Sequence, residues 1–383
     1  HWRTHNMSQT KVEAPFVENN ANFRNLIING DMKVAQRATS ATTITNNSVH
    51  YATVDRWFVY EYSDGVITSE QHDMSAADQA TTGQKKAMEL NVTTVDSSIA
   101  SGQFALFAQA VEAQFCQPAL YGTSAAKDLT LSFYVKSNKT GTYAVAIDKN
   151  DSTRYRLPIT YTIDSADTWE KKVINISPTA GSTSLITGAN GAIADDNGVG
   201  FHIWWTLAAG SDYHGTNNTW TSSEKYTTSD QVNWLDSTSN NFHITGVQLE
   251  IGDQATDFEH LPHDVQLKRC QRYYQKLSGA YAANMFITNG FYNGASQFQG
   301  SYNYMCNMRA APSLLHTAGT SYYAVARVLS SDYVDEINGL KLYSSNDQAG
   351  LLYWDGANGT AGGGGVLYIN SSSVTEAALS AEL

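Results

Sequence analysis

The chain has few cysteines and few positive charges, and each shortage excludes a class of protein. Its 383 residues include three cysteines, Cys116, Cys270 and Cys306. They are widely spaced and form no C-x-x-C pair, so neither a disulfide framework nor a zinc knuckle is indicated. Lys and Arg number 24 against 36 Asp and Glu, which gives a net charge of −12. A chain this acidic offers no cationic face to a nucleic-acid backbone or to an anionic bilayer.

Membrane, secretion and catalytic signals are also missing. No apolar run approaches the ~20 residues of a membrane helix. Residues 1–6 lack the hydrophobic stretch of a secretion signal. Because the cysteines indicate no disulfide framework, we expect the chain to fold in a reducing cytosol. Met7 is typical of a native start, and the origin of the six residues before it stays open. The sequence contains no G-x-S-x-G, H-E-x-x-H or phosphate-loop motif, so we expect neither enzymatic activity nor a cofactor.

Neutral polarity and aromatic rings take the place of the missing charge. Hydrophobic residues make up 42% of the chain and charged residues 16%, with 22 Tyr, 13 Phe and 8 Trp. These rings are enough to build real cores, which excludes a wholly disordered chain. The length favours two domains over one.

Period-two alternation is the main secondary-structure signal. In 128–136, Leu129, Leu131, Phe133 and Val135 share one face of a strand, and 143–147 repeat the pattern after a turn, which predicts a hairpin. Further predicted strands are 56–62, 86–92, 103–111, 154–163, 169–176 and 199–207. Short strands with almost no helical periodicity between them predict an antiparallel sandwich.

A phase change in 242–251 predicts a β-bulge. Phe242 and Ile244 lie at even positions, whereas Val247, Leu249 and Ile251 lie at odd ones. An extra residue at Thr245-Gly246 keeps both halves facing one core, so we predict the bulge there.

The pattern changes again after residue 262. Steps of three and four between apolar residues predict a helix over 265–277, with Asp264 as its N-cap. It either packs on its own domain or forms a short seam with other subunits. Alternating residues return after 278 and predict a smaller all-β unit that ends with a strand at 366–369, after the glycines 362–365.

Several short segments resemble one family. The start Asn25-Leu26-Ile27-Ile28-Asn29-Gly30-Asp31-Met32, with Ala35-Gln36-Arg37 and Asp55-Arg56-Trp57, resembles the opening of a jelly-roll module of bacteriophage tail-fibre and appendage proteins. The ending is similar too: Asn233-Trp234-Leu235, Ile244 to Gly252, Thr256 to His260, and Arg269-Cys270-Gln271-Arg272-Tyr273-Tyr274. Met308 to Pro312 and Ala381-Glu382-Leu383 resemble the smaller β-domain that often follows.

The resemblance implies an all-β protein that combines a jelly-roll sandwich, similar to carbohydrate-binding modules, with a small C-terminal β-domain. The expected division is an N-terminal extension at 1–22, the sandwich at 23–262, a connecting helix at 263–277 and the β-domain at 278–383. It also implies a virion protein, assembled in the host cytoplasm, that forms a homotrimer and contacts other virion proteins.

Two groups of aromatic residues are candidates for glycan binding, because pyranose rings stack on aromatic faces while amides hold the hydroxyls. On 199–207, Trp204 and His202 face away from Trp205, and the next loop adds Tyr213, His214 and Trp220. The alternative is that Trp204 packs under this loop or in a subunit interface.

The second group lies in the C-terminal unit. Phe291, Tyr292 and Tyr302 are interleaved there with asparagine and glutamine, a composition that suits adaptable recognition. The alternative is that alternate tyrosines form the core of a small trimeric β-domain.

Metal-binding signals are weak. Asp195-Asp196 and the turn containing Asp148 and Asp151 could hold calcium through oxygen ligands, although such acidic pairs are more often solvated turns. His260 and His263 lie three residues apart, but Pro262 between them disrupts a helical pair.

These observations favour adhesion. The hypothesis is a virion protein of fibre or receptor-binding type that attaches to a bacterial surface glycan by multivalent, non-catalytic contacts. One alternative is a purely structural fibre, spike or head decoration protein. The other is a glycan depolymerase, which requires two carboxylates across a bound sugar.

Overall fold

The computed structural model describes residues 23–44, 48–279, 281–327, 334–355 and 358–383. The predicted N-terminal extension, 1–22, lies outside this part of the chain. None of the helices in the described ranges combines the length and apolar character needed to cross a bilayer.

Up to residue 251 strands make up most of the regular secondary structure of the described chain. They are β1 (Thr42–Ile44), β2 (Ser48–His50), β3 (Trp57–Tyr62), β4 (Val66–Asp73), β5 (Lys86–Thr94), β6 (Phe104–Glu112), β7 (Leu129–Ser137), β8 (Gly141–Lys149), β9 (Tyr155–Ile163), β10 (Glu170–Ile176), β11 (Val199–Ala209) and β12 (Asn241–Ile251). One helix, α1 (Ala76–Thr82), and short 3₁₀ segments at Ala113–Ala119, Ala180–Ser182, Ala189–Gly191, Ser211–Tyr213 and Trp234–Asp236 lie between them.

These strands form the predicted jelly-roll sandwich. One antiparallel sheet has the order β1-β4-β5-β12-β7-β10 and the other the order β2-β3-β6-β11-β8-β9. Alternate residues of both sheets fill one core, in which Trp57 stacks on Phe107 at 4.9 Å and Trp205 meets Phe133 edge-on at 5.6 Å. The prediction of an all-β fold is confirmed, and nearly every predicted strand is present within two residues.

The bulge in β12 is also confirmed. Opposite β7, Thr245 pairs with Tyr134 and the next pair is Gln248 with Ser132, so β12 carries one extra residue. Gly246 takes a left-handed φ of 61°, which glycine adopts without steric cost. Leu249 and Ile244 therefore both point into the core.

The opening segment lies alongside this bulge. The Leu26 amide donates to the carbonyl oxygen of Leu249 at 2.9 Å, and the Val247 amide donates to the carbonyl oxygen of Gly30, also at 2.9 Å. The Asn25 side chain donates to the Val247 carbonyl oxygen and accepts from the Leu249 amide. The opening and closing segments of the sandwich are therefore hydrogen-bonded to each other.

The connecting helix is shorter than predicted. Helix α2 spans His263–Gln271 and is preceded by Pro262, not capped by Asp264. Residues Tyr274–Lys276 form strand β13 instead of a last helical turn. Their backbone groups pair with a strand at the C-terminal end of the chain, and this long-range ladder outweighs the local helical spacing that the sequence suggested.

The C-terminal unit contains two sheets. The strands are β14 (Met285–Tyr292), β15 (Gln297–Asn303), β16 (Ser313–His316), β17 (Tyr323–Arg327), β18 (Val334–Ile337), β19 (Lys341–Ser345), β20 (Ala349–Asp355), β21 (Gly364–Ile369) and β22 (Ala377–Ser380). The small sheet has the order β13-β22-β16 and the large one β18-β17-β21-β14-β15-β20-β19. The sequence missed β22 and placed the last strand at 366–369. The domain boundaries at 262 and 278 stay a prediction.

The chain end joins the two units. Glu382 forms ion pairs with Arg56 and, at 3.1 Å, with Arg37, both from the sandwich. The guanidinium groups of Arg56 and Arg37 lie 3.5 and 3.7 Å from the ring centroids of Tyr273 and Tyr274. We call these five residues the C-terminal latch.

Candidate functional site

Trp204 lies on the face of β11 opposite the core, as predicted, but it is covered. Its side chain is 4% exposed and meets Phe58 edge-on at 5.4 Å, with Tyr226 at 5.7 Å above it. The loop that follows β11 supplies this cover, which is the alternative weighed for Trp204. A buried indole offers no face to a sugar, so this placement corrects the expectation of an exposed ring.

Asp148 and His202 belong to a buried polar network beside Trp204. The Asp148 carboxylate is fully buried, accepts from the Arg154 Nε at 2.9 Å and from the Trp204 Nε1 at 3.2 Å, and lies 3.7 Å from the Arg156 Nε. A carboxylate engaged in this way has no free face for a calcium ion. Burial lowers the pKa of His202 to about 4, although Asp148 acts in the opposite direction.

This shift predicts a pH dependence of stability. Because the unfolded state binds a proton below about 6.5 and the folded His202 resists protonation down to about 4, stability is lost as pH falls through that window. The full shift corresponds to about 3 kcal/mol, of which about 2 kcal/mol is lost between pH 7 and pH 4.5. Between pH 7 and pH 4.5 the free energy of unfolding of His202→Gln should therefore fall by about 2 kcal/mol less than that of the wild type, as measured by urea titration. Identical losses in the two proteins would refute the assignment.

The other predicted residues of this region divide between the core and the surface. Trp220 is 2% exposed and donates to the Ser177 carbonyl oxygen at 2.8 Å, so it is part of the core. Tyr213 is half-buried against Phe104, with ring centroids 5.1 Å apart. The His214 Nε2 lies 3.1 Å from the Ala209 carbonyl oxygen. The loop is therefore held on the sheet by these side chains.

The remaining metal candidates are explained by local contacts. Asp196 accepts from the Gly198 amide at 2.8 Å, Asp151 accepts from the Ser152 amide at 2.6 Å, and Asp195 is exposed. His260 packs its ring on Phe258 at 5.0 Å. Within the described ranges, no third ligand joins His260 and His263.

The C-terminal candidates lie on opposite faces of the large sheet. Tyr292 is 1% exposed and donates to Asp335, and Tyr302 is 9% exposed and donates to the Lys276 carbonyl oxygen at 3.2 Å. Both belong to the core of this unit, which corrects their placement in a binding surface. Phe291 lies on the other face and is 50% exposed.

The face that carries Phe291 is rich in exposed rings. We call it the outer face of the C-terminal sheet, and its aromatic members include Phe286, Phe291, Tyr343 and Tyr353. Phe286 is 54% exposed and Tyr343 is 72% exposed. Tyr353 is half-buried and meets the Tyr343 ring edge-on at 5.5 Å.

Polar side chains run between these rings in a hydrogen-bonded chain. The Gln299 Nε2 donates to the Gln297 Oε1 at 2.6 Å, and the Gln297 Nε2 donates to the Asp355 Oδ1 at 2.7 Å. Lys341 donates to the other Asp355 oxygen at 3.0 Å. Hydrogen bonds from Gln297 and Lys341 lower the pKa of Asp355, so its carboxylate stays ionised. Amide, carboxylate and ammonium groups are thus fixed in position beside exposed rings.

Strand register places these groups in one row. Phe291 is directly opposite Gln299, Gln299 is opposite Tyr353, and Tyr353 is opposite Lys341. Sequence reasoning found Phe291 but missed Phe286, Tyr343 and Tyr353. Alternation in 351–355, where Tyr353 and Asp355 share a face opposite Leu352 and Trp354, was the signal available for Tyr353 in the row and for Asp355 beside it.

Comparisons with known proteins find similar solved structures, but the sequence identities and TM-scores are low. No protein-family profile and no curated protein matches the chain. A putative sugar-binding protein from Bacteroides thetaiotaomicron is 15% identical, with 59% of this chain and 99% of that chain covered and a TM-score of 0.34. A family 11 carbohydrate-binding module from Clostridium thermocellum is 13% identical, with coverages of 58% and 99% and a TM-score of 0.27.

A phage protein is also among the similar structures. The enzymatically active domain of tailspike protein 4 of bacteriophage CBA120 is 10% identical, with 60% of this chain and 22% of that chain covered and a TM-score of 0.26. At these identities and scores, no residue role passes from any of these proteins to this chain.

Proposed function

We propose that the protein is a non-catalytic virion protein that binds a bacterial surface glycan through the outer face of the C-terminal sheet. The observation that carries the proposal is the row Phe291–Gln299–Tyr353–Lys341, in which exposed or half-exposed rings alternate with hydrogen-bonding groups. Saccharides need this combination, because their C–H faces stack on rings while their hydroxyl groups require donors and acceptors.

The spacing of the row supports an extended ligand. Neighbouring strands lie about 4.8 Å apart, so Phe291 and Tyr353, two strands apart, are separated by about 10 Å. Two rings at this distance on one face of a sheet suit successive units of a chain more than one isolated sugar. Tyr343, in contact with Tyr353, extends the row at its edge.

The virion assignment and the homotrimer rest on the sequence resemblance. Shallow, exposed sites bind weakly one at a time, and a trimer displayed in several copies multiplies such contacts without any new interaction. Other virion proteins would hold the assembly, which forms in the host cytoplasm. The net charge of −12 suits a neutral or cationic glycan surface better than a polyanionic one.

The two alternative functions predict different structural features. In a purely structural fibre, Phe286, Phe291 and Tyr343 would be covered by neighbouring subunits. A depolymerase needs paired carboxylates around a groove. A surface pocket of about 230 Å³ lined by Tyr134, Lys171 and His260 holds one carboxylate, Asp257, and this arrangement does not favour the enzyme.

Removing two of the rings tests the proposal. We expect the double variant Phe291→Ala and Tyr343→Ala to lose at least tenfold in binding to a printed array of bacterial surface polysaccharides, because stacking on rings is worth about 1–3 kcal/mol in related ring contacts. Both side chains are at least half exposed, so the fold should tolerate their loss.

Two control variants locate the effect. Phe115→Ala removes a ring that is 36% exposed at a distance from the outer face, and it should bind like the wild type. Tyr62→Ala removes a ring, 44% exposed, from the small aromatic cluster beside Phe104 and Tyr213 on the sandwich. Binding lost with Tyr62→Ala and kept in the double variant would move the site to the sandwich and overturn the proposal.

A further inference from the structure

Two histidines and a glutamate meet on the solvent side of the first sheet of the sandwich. His72 is on β4, Glu89 on β5 and His243 on β12, three neighbouring strands. Glu89 is directly opposite His243 on one side and directly opposite Glu70 on the other, and His72 follows Glu70 by two residues on the same face. The sheet register therefore brings His72, Glu89 and His243 together, with Glu70 next to them.

The donor atoms already approach the spacing of a metal site. The His72 Nδ1 lies 2.7 Å from the Glu89 Oε2, and the His243 Nε2 lies 3.3 Å from the same oxygen. All three atoms lie within 4.8 Å of one another. In a tetrahedral zinc site with bonds of about 2.0–2.1 Å, donor atoms are about 3.3 Å apart, so only small side-chain rotations are required.

Burial and donor type suit a cation as well. The side chains of His243 and Glu89 are 7% and 14% exposed, and that of His72 is 32% exposed, which leaves one side open to entry. Glu89 supplies a carboxylate and the two histidines supply imidazoles, which are groups that bind zinc-class ions.

Two neighbouring charges affect the cluster in opposite ways. Glu70, directly opposite Glu89, adds a second carboxylate beside the cluster, and its charge favours a divalent ion. Lys136 opposes a cation, since it pairs with His243 across β7 and β12. Its ammonium lies over the Trp169 ring at 5.1 Å and 3.9 Å from the Asp78 carboxylate, which partly neutralises it.

We propose that His72, Glu89 and His243 bind one zinc-class divalent ion. Imidazole and carboxylate donors favour Zn²⁺, Co²⁺ or Ni²⁺ over Ca²⁺ and Mg²⁺, which prefer oxygen alone. The ion displaces the proton between His72 and Glu89 and clamps β4, β5 and β12 together, so it acts on stability independently of glycan binding.

The test is a titration of the full, chelator-treated chain with ZnCl₂ by calorimetry, together with Co²⁺ absorption in the visible range. We expect the wild type to bind one equivalent of Zn²⁺ and to show a Zn²⁺-dependent rise in Tm. In Glu89→Gln and in His72→Gln the binding should be lost or weakened at least about tenfold, and the rise in Tm should be lost. His72 is a third exposed, so its variant should fold even if the buried positions are less tolerant.

A matched variant, His260→Gln, should bind like the wild type. Histidines outside the described residues are present in every variant and contribute the same background, so the difference between variants reports this cluster alone. Zinc binding that is equal in the wild type, His72→Gln and Glu89→Gln, or absent from the wild type, would overturn the proposal.

Discussion

Replacing Glu382 by glutamine is expected to lower the free energy of unfolding by about 3–5 kcal/mol, because it leaves a buried cation without its partner. Arg56 is fully buried and its guanidinium contacts the Glu382 carboxylate. The hydrogen bond from the Arg56 Nη2 to the Ala110 carbonyl oxygen, at 2.8 Å, stays but supplies no negative charge. Glutamine preserves the shape of the side chain, so the loss measures the charge.

Urea unfolding followed by tryptophan fluorescence measures this effect. The matched control is Glu224→Gln, which removes the carboxylate of another arginine pair, with Arg156, at 3.5 Å. Because Glu224 is 55% exposed, its variant should lose less than about 1 kcal/mol. Equal losses in the two variants would mean that Glu382 is not a buried partner and that the latch is not formed as described.

Gly30→Ala is expected to destabilise the protein by about 3 kcal/mol, through overpacking against main chain that cannot rotate away. A Cβ on residue 30 would lie 2.0 Å from the carbonyl oxygen of Val247. The hydrogen bond from the Val247 amide to the Gly30 carbonyl oxygen fixes both segments beside the bulge in β12. Relief of the clash therefore requires the opening segment to separate from β12.

Gly102→Ala is the control for the glycine substitution. The nearest atom to a Cβ at that position is a side-chain oxygen of Asp212 at 3.6 Å, an ordinary contact. We expect the free energy of unfolding of this variant to stay within about 0.5 kcal/mol of the wild type. Unchanged stability in Gly30→Ala would contradict the close approach of the two segments.

Several of the segments that resemble phage appendage proteins contact one another where the sandwich meets the C-terminal unit. Arg37, Arg56, Tyr273, Tyr274 and Glu382 form the C-terminal latch. Arg309, from the segment 308–312, donates to the carbonyl oxygens of Ala381 and Glu382 at 2.7 and 3.0 Å. These residues hold the two units together. The groups proposed to bind glycan lie elsewhere, on β14, β15, β19 and β20.

The sandwich was predictable because its strands alternate cleanly. Burial of one face fixes both the strand and its register, and even the bulge at Thr245-Gly246 followed from a shift of one residue. The helix was predicted too long for a reason that spacing cannot reveal. Tyr274 pairs with Ser380, more than a hundred residues away, and no local pattern records that partner.

The site was harder to predict than the fold, because alternation gives the two faces of a strand but not what covers each. Trp204 and Phe291 both point away from a core. A loop covers Trp204 and leaves its indole 4% exposed, whereas Phe291 stays 50% exposed. The convergence of His72, Glu89 and His243 likewise depends on strand order, which the sequence did not supply.

The most direct test of the central claim is hydrogen–deuterium exchange of the full chain with and without the polysaccharide that binds best on the array. The account predicts slower exchange confined to 285–303 and 341–355, the strands that carry the outer face of the C-terminal sheet. Protection confined to 57–62, 104–112 and 211–228 on the sandwich, or none anywhere, would contradict it.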